Sequence, residues 1–228
     1  MWHNPKRELM NELLIDIECN VYETIKIGNQ IWMAENLRVS HFNNGDELNI
    51  AKNRRQCEYA RKTPTVYKSI EDSTNYIQYG LLYNSFTVFD KRNIAPSGWH
   101  IPTIEDWEEL VNFLGGKDIA GRKLKSQTGW KREVNQPPSY GYKPRPEFGG
   151  TNESGFTALP NGKMITCYQN AYDVGMYSWN WASSQKEVSE RTTWYGYFSL
   201  NYYNASVAMG YTYIKDFLGI RCVKNKTL

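Results

Sequence analysis

Apolar and polar positions alternate most clearly near the C-terminus, from Trp194 through Asn201 and on toward Tyr213. At a period of two, Trp194, Gly196, Phe198 and Leu200 point to one side, and Tyr195, Tyr197, Ser199, Asn201 and Tyr203 form a polar-aromatic row on the other. This predicts a strand with one dry face and one adhesive face, the dry residues packing on a strand expected over Gly219 to Lys224. Near the other end, Val21, Glu23, Ile25 and Ile27 alternate with Tyr22, Thr24 and Lys26, and Gly28-Asn29 turns that strand into a second one. The best helix starts at Thr103, a cap with Asp106 three residues on. It carries Ile104, Trp107, Leu110, Val111 and Leu114 on one stripe and stops at Gly115-Gly116. Asn4-Pro5 opens a shorter helix whose stripe, Leu9, Met10, Leu13 and Leu14, must bury against the domain, a neighbouring subunit or an assembly partner.

Between these elements the pattern is looser. Asn43-Asn44-Gly45-Asp46 is a turn, and Lys52 to Lys62 reads as a polar, basic, solvated loop. Tyr79 to Phe89 is almost wholly apolar and aromatic, so it is buried on most sides, and periodicity does not separate strand from helix there. Gln136 to Pro146 holds four prolines and reads as a long surface loop. Thr151 to Gly162 returns through a hydrogen-bonding turn and a short apolar strand. After it come Tyr168, Asn170, Tyr172, Asp173, Tyr177, Trp179, Asn180 and Trp181.

Composition narrows the class. At 228 residues the chain can build one good core. A mean hydropathy of -0.66 excludes insertion into a membrane, and a net charge of only +3 without a long basic run argues against nucleic acid. Cys19, Cys57, Cys167 and Cys222 form no CxxC pair, so zinc and thioredoxin-like motifs are absent and buried free thiols are expected. His3 and His41 lack ligand spacing. His100, boxed by Trp99 and Ile101-Pro102, is expected to hold a backbone carbonyl rather than a metal or a proton in transit. Glu105, Asp106, Glu108 and Glu109 suit the first turns of a helix better than an acid-base pair. No metal, cofactor or catalytic residue is expected. The first twenty residues show no export signal.

Several landmarks together resemble one family, the Fibrobacter succinogenes major paralogous domain of Bacteroidetes surface proteins. They are Ile27-Gly-Asn-Gln-Ile-Trp-Met-Ala-Glu-Asn-Leu37, Tyr79-Gly-Leu-Leu-Tyr-Asn84, Pro96-Ser-Gly-Trp-His-Ile-Pro-Thr103, Trp107-Glu-Glu-Leu110, Leu114-Gly-Gly116, Thr151-Asn-Glu-Ser-Gly-Phe156, Leu159-Pro160, Trp181-Ala-Ser-Ser184 and Gly219-Ile-Arg-Cys-Val-Lys224. The resemblance implies an α+β, C-type-lectin-like mixed fold with short helices, twisted antiparallel strands and long loops, over residues 15–228. In it, strands from the two ends of the chain pair. Residues 1–14 are then an amphipathic N-terminal extension.

Members of such folds mostly bind rather than catalyse. The expected activity is therefore non-enzymatic recognition of a receptor or cell surface. The contact set is Tyr172, Tyr177, Trp179, Asn180, Tyr195, Tyr197, Ser199, Asn201, Tyr203, Tyr211 and Tyr213, because Tyr and Trp supply stiff area and Asn and Ser adaptable hydrogen bonds. The segment Tyr168 to Tyr213 also resembles the variable surface of retroelement-diversified C-type-lectin-like proteins. That would place the chain on a phage tail as readily as on a bacterial surface. The partner is a protein receptor or a cell-surface glycan. A carbohydrate site would be calcium-independent, since Trp179-Asn180-Trp181 lacks the carboxylate of calcium-dependent lectins. An oxidative enzyme of the formylglycine-generating type would need Cys167 and Cys222 as its pair.

Overall fold

The computed structural model describes residues 13–60, 62–68, 77–131, 149–165, 171–189, 192–213 and 216–226. In chain order the strands open with β1 (Leu14–Ile15), β2 (Val21–Tyr22), β3 (Thr24–Ile27), β4 (Gln30–Met33) and β5 (Asn49–Ala51). Helix α1 (Arg54–Tyr59) leads to β6 (Thr65–Tyr67), β7 (Leu82–Asn84), helix α2 (Ser85–Val88) and β8 (Trp99–His100). Helices α3 (Ile104–Phe113) and α4 (Lys117–Leu124) precede β9 (Lys163–Ile165), β10 (Ala171–Tyr172), β11 (Tyr177–Ser189), β12 (Thr192–Asn201), β13 (Val207–Tyr213), β14 (Asp216–Leu218) and β15 (Val223–Lys224). Short helices beside several largely antiparallel sheets are compatible with an α+β or a mostly β fold.

The two ends of the chain do pair. The β3–β4 hairpin turns at Gly28-Asn29 with Gly28 at φ 61, and β4 takes β15 as its other neighbour, Val223 opposite Trp32. His100 and Trp99 of β8 close that four-stranded sheet on the far side of β15. A six-stranded sheet runs β10-β9-β14-β7-β6-β5, and a three-stranded sheet runs β11-β12-β13. Strand β12 is thus central between β11 and β13, not laid against Gly219 to Lys224 as its pattern suggested. Gly219 instead bridges to Asn180 of β11.

Helix α3 forms as its sequence predicts. Thr103 accepts from the Asp106 amide, Asp106 accepts from the Thr103 amide, and Trp107, Leu110 and Val111 are buried. Its start is docked by a bulge in β11. Ala182, Ser183 and Ser184 stand opposite Gly196 alone, because the register jumps from Trp181↔Tyr197 to Gln185↔Tyr195. The bulged Ser183 donates from its amide to Pro102 O (2.7 Å) and from its hydroxyl to Ile101 O (2.7 Å), while Ser184 Oγ accepts from the Ile104 amide. A Cβ on Gly196 would meet Ala182 Cβ at 3.0 Å, so glycine lets the bulge close.

Two cores lie on opposite faces of the three-stranded sheet. One joins α3 and α4 to Trp32, Phe156, Phe198, Leu200 and Val207, with Phe198 stacked on Trp107 at 3.9 Å. The other gathers Tyr22, Met33, Tyr83, Trp99, Trp181 and Ile220. Both faces are covered around Trp181 and Phe198, while Gln185 to Ser189 of β11 and Trp194 of β12 stay exposed.

Several expectations are corrected. The basic segment from Lys52 is not a loop: Asn53 caps α1 through the Gln56 amide, and Cys57 is buried beneath it. Tyr79 to Phe89 is strand and helix in succession, Asn84 ending β7 and capping α2. Tyr22 and Thr24 are buried while Val21 is exposed, the reverse of the expected phase, because β2 leaves β3 to pair with β1. Thr151 to Gly162 has its turn, with Asn152 Oδ1 accepting from the Thr157 amide, but only isolated bridges, Ala158 to Lys125 and Gly162 to Ser178, where a strand was expected. Trp194 is 41% exposed, not core, since it lies beyond the part of β12 that the helices cover. Cys57 and Cys222 are buried free thiols, whereas the free Cys19 is exposed. The helix expected from Asn4, apart from Leu13 and Leu14, and the proline loop at 136–146 lie outside the described residues.

His100 holds no backbone carbonyl. Its Nε2 faces Asp106 Oδ2 at 3.0 Å and its Nδ1 faces Asn225 Oδ1 at 2.7 Å. Hydrogen bonding to Asp106 raises its pKa, against the pull of burial. Burial pushes the Asp106 carboxyl up, but hydrogen bonds from His100 and Thr103 outweigh it and leave it lowered. A raised histidine stabilises fully below its unfolded value of 6.5 and loses that contribution as pH climbs through the folded value. The Asp106 contribution is lost at the other end, as pH falls through its lowered value. Wild type should therefore exceed His100→Gln in Tm by a margin that is largest in mildly acidic buffer and shrinks on the alkaline side. Thermal melts across pH measure it, and the paired difference cancels His41, which is also raised, by Glu18.

Candidate functional site

The register of the three-stranded sheet sorts the aromatic residues by face, since cross-strand partners share one. Tyr177 pairs with Asn201, Trp179 with Ser199 and Trp181 with Tyr197, so all six share a face, and Tyr195 follows beyond the bulge. Asn180 pairs with Phe198 and Tyr211 with Gly196, placing both on the opposite face.

On the first face the rings form a row of two contacting groups, which meet at the register pair Trp181↔Tyr197. Tyr195 lies 5.2 Å from Phe89 and 6.5 Å from Trp181. Tyr197 lies 5.3 Å from Trp179, and Trp179 stacks on Tyr177 at 5.8 Å. Tyr177 meets Tyr203 edge-on at 6.0 Å, their hydroxyls 3.1 Å apart, and Tyr203 meets Tyr202 at 5.3 Å. Gly210, opposite Tyr197, has no side chain, and the Tyr197 ring lies across it, its hydroxyl 3.4 Å from where a Cβ would be. Tyr177, Trp179, Tyr195, Tyr197, Tyr202 and Tyr203 are each half-buried. One end is anchored in the core and the other opens at the Tyr202-Tyr203 turn.

Charge accompanies the open end. Lys163 Nζ sits 4.3 Å over the Trp179 ring and 3.1 Å from Asp216 Oδ2. Tyr172 stands opposite Lys163 on the neighbouring strand. Burial raises the Asp173 carboxyl to about 6, with Lys163 and Lys131 pulling it back. Burial also raises the Tyr177 hydroxyl, and its hydrogen bond with Tyr203 adds to this. The Trp179 Nε1 donor is buried without a partner among the described residues.

Of the eleven expected contact residues, the structure brings Tyr177, Trp179, Tyr195, Tyr197 and Tyr203 into this row. Ser199, Asn201 and Asn180 are buried, at 5%, 9% and 1% exposure, which corrects their assignment to an outer surface. Asn201 instead caps its own turn, accepting from the Tyr203 and Asn204 amides. Asn180 packs beside Gly219 in a polar cluster with Asn36 and Asn161. Tyr213 pairs in register with Trp194 at the far end of β13. Lys163, Asp216, Asp173 and Phe89 were not anticipated. Phe89 carried a signal, as an aromatic closing an apolar run; Lys163 and Asp216 carried none, being 53 positions apart.

The cysteine pair of the oxidative reading is not assembled among the described residues. Burial pushes the Cys222 thiol up, and Cys167 lies outside them. No helix among the described residues is long and apolar enough to cross a membrane.

Comparison with curated proteins and with solved structures returned no match. The model of the Fibrobacter succinogenes major domain, by contrast, matches residues 25–224, from within the first hairpin to the last strand. The chain belongs to the Fibrobacter succinogenes major domain family.

Proposed function

We propose that this protein is a non-enzymatic recognition module with a C-type-lectin-like fold, whose binding face is the open end of the aromatic row. The observation that carries this reading is the half-buried ladder Tyr202, Tyr203, Tyr177 and Trp179 with Lys163 seated on it. Rings held by neighbouring rings lose little conformational freedom on binding, which favours contact through them. The pairing of β4 with β15 and the loop-rich sheet support the fold assignment. The ligand is a protein receptor or a cell-surface glycan, and the setting a bacterial surface or a phage tail. If the surface is diversified by a retroelement, the positions open to change are in the turn around Tyr202 and Tyr203, since Ser199 and Asn201 are buried.

An assembly role for the N-terminal segment is part of the same proposal. Leu13, Ile15, Ile17 and Val21 are exposed at 62%, 60%, 46% and 47%, an apolar strip directly following residues 4–12. Ile15 and Val21 are register partners across β1 and β2. A contiguous apolar strip of this kind suits burial in an assembly.

The test is saturable binding of the labelled protein to bacterial cells and to a glycan array, each with and without chelator. Tyr177→Ala with Tyr203→Ala should leave the Tm within a few degrees and remove binding, each ring contributing on the order of 2 kcal/mol. Binding that survives in the folded double variant would exclude this face.

A further inference from the structure

The turn that carries Tyr202 and Tyr203 is anchored on helix α4 at two places. At its far end the Arg122 amide donates to Ala205 O at 3.2 Å, and a Cβ on Gly121 would lie 2.6 Å from Ala205 O and from Ser206 O. At the tyrosine end the anchor is a side chain. Lys125, the buried C-cap of α4, donates from Nζ to Asn201 O at 3.0 Å and to Asn204 O at 2.7 Å, the carbonyls that bracket Tyr202 and Tyr203. On the reading that the aromatic row binds the ligand, on which this rests, we infer that Lys125 is a positioning residue for that face. Its buried ammonium sets the shape in which the turn presents Tyr202 and Tyr203, so recognition depends on a charge that makes no contact with the ligand.

The other ties of the turn are made by its amides. Asn201 Oδ1 takes the Tyr203 and Asn204 amides, Asn204 Oδ1 takes the Ser206 amide and hydroxyl, and Met176 O takes the Tyr202 amide. None of these bonds uses the Asn201 and Asn204 carbonyls, which an ammonium with three donors on one atom can gather together. Hydrogen bonds from a cation are about twice as strong as neutral ones, so both weaken when the proton leaves.

The charge is kept at a cost. Burial lowers the lysine from its unfolded value of 10.5 to about 8, and Arg122 adds to the shift. A base lowered on folding subtracts stability wherever both states are protonated, and that loss is relieved as pH rises from the folded value toward the unfolded one. A side chain placed there for stability alone would do better uncharged. Among residues 201–206 the titratable groups are the phenols of Tyr202 and Tyr203, and the Trp130 ring stands 5.4 Å from Nζ. Lys131 and Glu153, on the flanking segments, are exposed.

Limited chymotrypsin digestion of the full chain, mapped by mass spectrometry, reads the turn without any ligand. Cleavage after Tyr202 or Tyr203, scaled to cleavage after the 78% exposed Tyr59, should rise about fivefold or more as pH climbs from neutral through about 8. Lys125→Met should be cleaved there at the raised level from neutral pH onward, with no step. Binding of labelled wild type to bacterial cells should fall over the same interval, while the variant binds weakly and evenly, its profile subtracting every other titration on the face. Stability should move the opposite way. In chemical denaturation wild type should gain on Lys125→Met as pH passes about 8, whereas a merely structural prop would lose stability along with the turn. A wild-type turn without the cleavage step, a folded Lys125→Met with wild-type protection, or a variant that binds as wild type does would each overturn the role of Lys125. Absence of binding by wild type at every pH would instead remove the binding face, and cleavage would still decide on the lysine.

Discussion

Phe198→Ala should lower stability by about 3–5 kcal/mol. The ring is fully buried and lies nearly parallel to Trp107, with centroids 3.9 Å apart and planes at 13°. Trp107 also contacts Trp32 at 4.6 Å and Phe156 at 6.0 Å, so removing Phe198 opens a space bounded by three large rings that cannot collapse together. A chain of this length should lose roughly 10 °C in Tm. Trp194→Ala, on the same strand and the same side of the alternation, should stay within about 0.5 kcal/mol because that ring is 41% exposed. Chemical denaturation of the two variants side by side decides it; similar losses would mean that the burial of β12 is misjudged.

Gly219→Ala should cost about 3 kcal/mol or more, through overpacking combined with broken buried hydrogen bonds. A Cβ there would lie 2.6 Å from Asn161 Nδ2, 2.9 Å from Asn180 Oδ1 and 3.2 Å from Asn36 Nδ2. None of these amides can yield freely. Asn161 exchanges two hydrogen bonds with the Trp179 backbone, and Asn36 donates to Tyr79 O while accepting from Arg221 Nε. Arg221 itself is buried, donates also to Phe156 O, and is pushed down to about 9 by burial, with Glu35 alone opposing. The methyl group would thus disturb the backbone under Trp179 and a buried cation together. Gly45→Ala is the control for losing a glycine without crowding, since its φ is +88 but nothing lies within 4 Å of its Cβ position. It should lose only the roughly 1–2 kcal/mol of left-handed strain. Equal losses would show that steric crowding at Gly219 is relieved by local movement.

The parts of this fold that the sequence discloses are those fixed by neighbours a few residues away. Thr103 and Asp106 satisfy each other, and the Ile104 to Leu114 stripe repeats at helical spacing, so α3 was legible nearly to the residue. The Gly28-Asn29 turn needed only its own two residues. Helix α1 was missed because a six-residue helix with three charged residues and a single buried cysteine carries no stripe. The phase of Val21 to Ile27 was lost because a strand that changes partner at Glu23 breaks the alternation without any glycine or proline to mark it. The binding face was half legible. Period-two alternation finds two sides of β12, but it assumes that one side is wet, and here a second core from Tyr83, Phe89 and Trp181 meets the row. That is why Ser199 and Asn201 are buried although their composition suited a surface. Lys163 could be placed over Trp179 only by knowing that its neighbour Gly162 bridges to Ser178 of β11.

The pairing of β4 with the end of the chain bears on how the molecule is made. The Met33 amide donates to Cys222 O and the Cys222 amide donates to Met33 Sδ across 189 positions, so the β3–β4 hairpin keeps an unpaired edge until Cys222 is made. Until Val223 emerges, Trp32 is paired only with Ile25 of β3, and until Phe198 emerges the aromatic layer on Trp107 is incomplete. Closure at such long range is slow and exposes a sticky edge meanwhile. The nascent chain therefore depends on β15 for protection of this edge from aggregation, and a ribosome that stalls before Val223 would release a product whose β3–β4 hairpin is open to foreign strands.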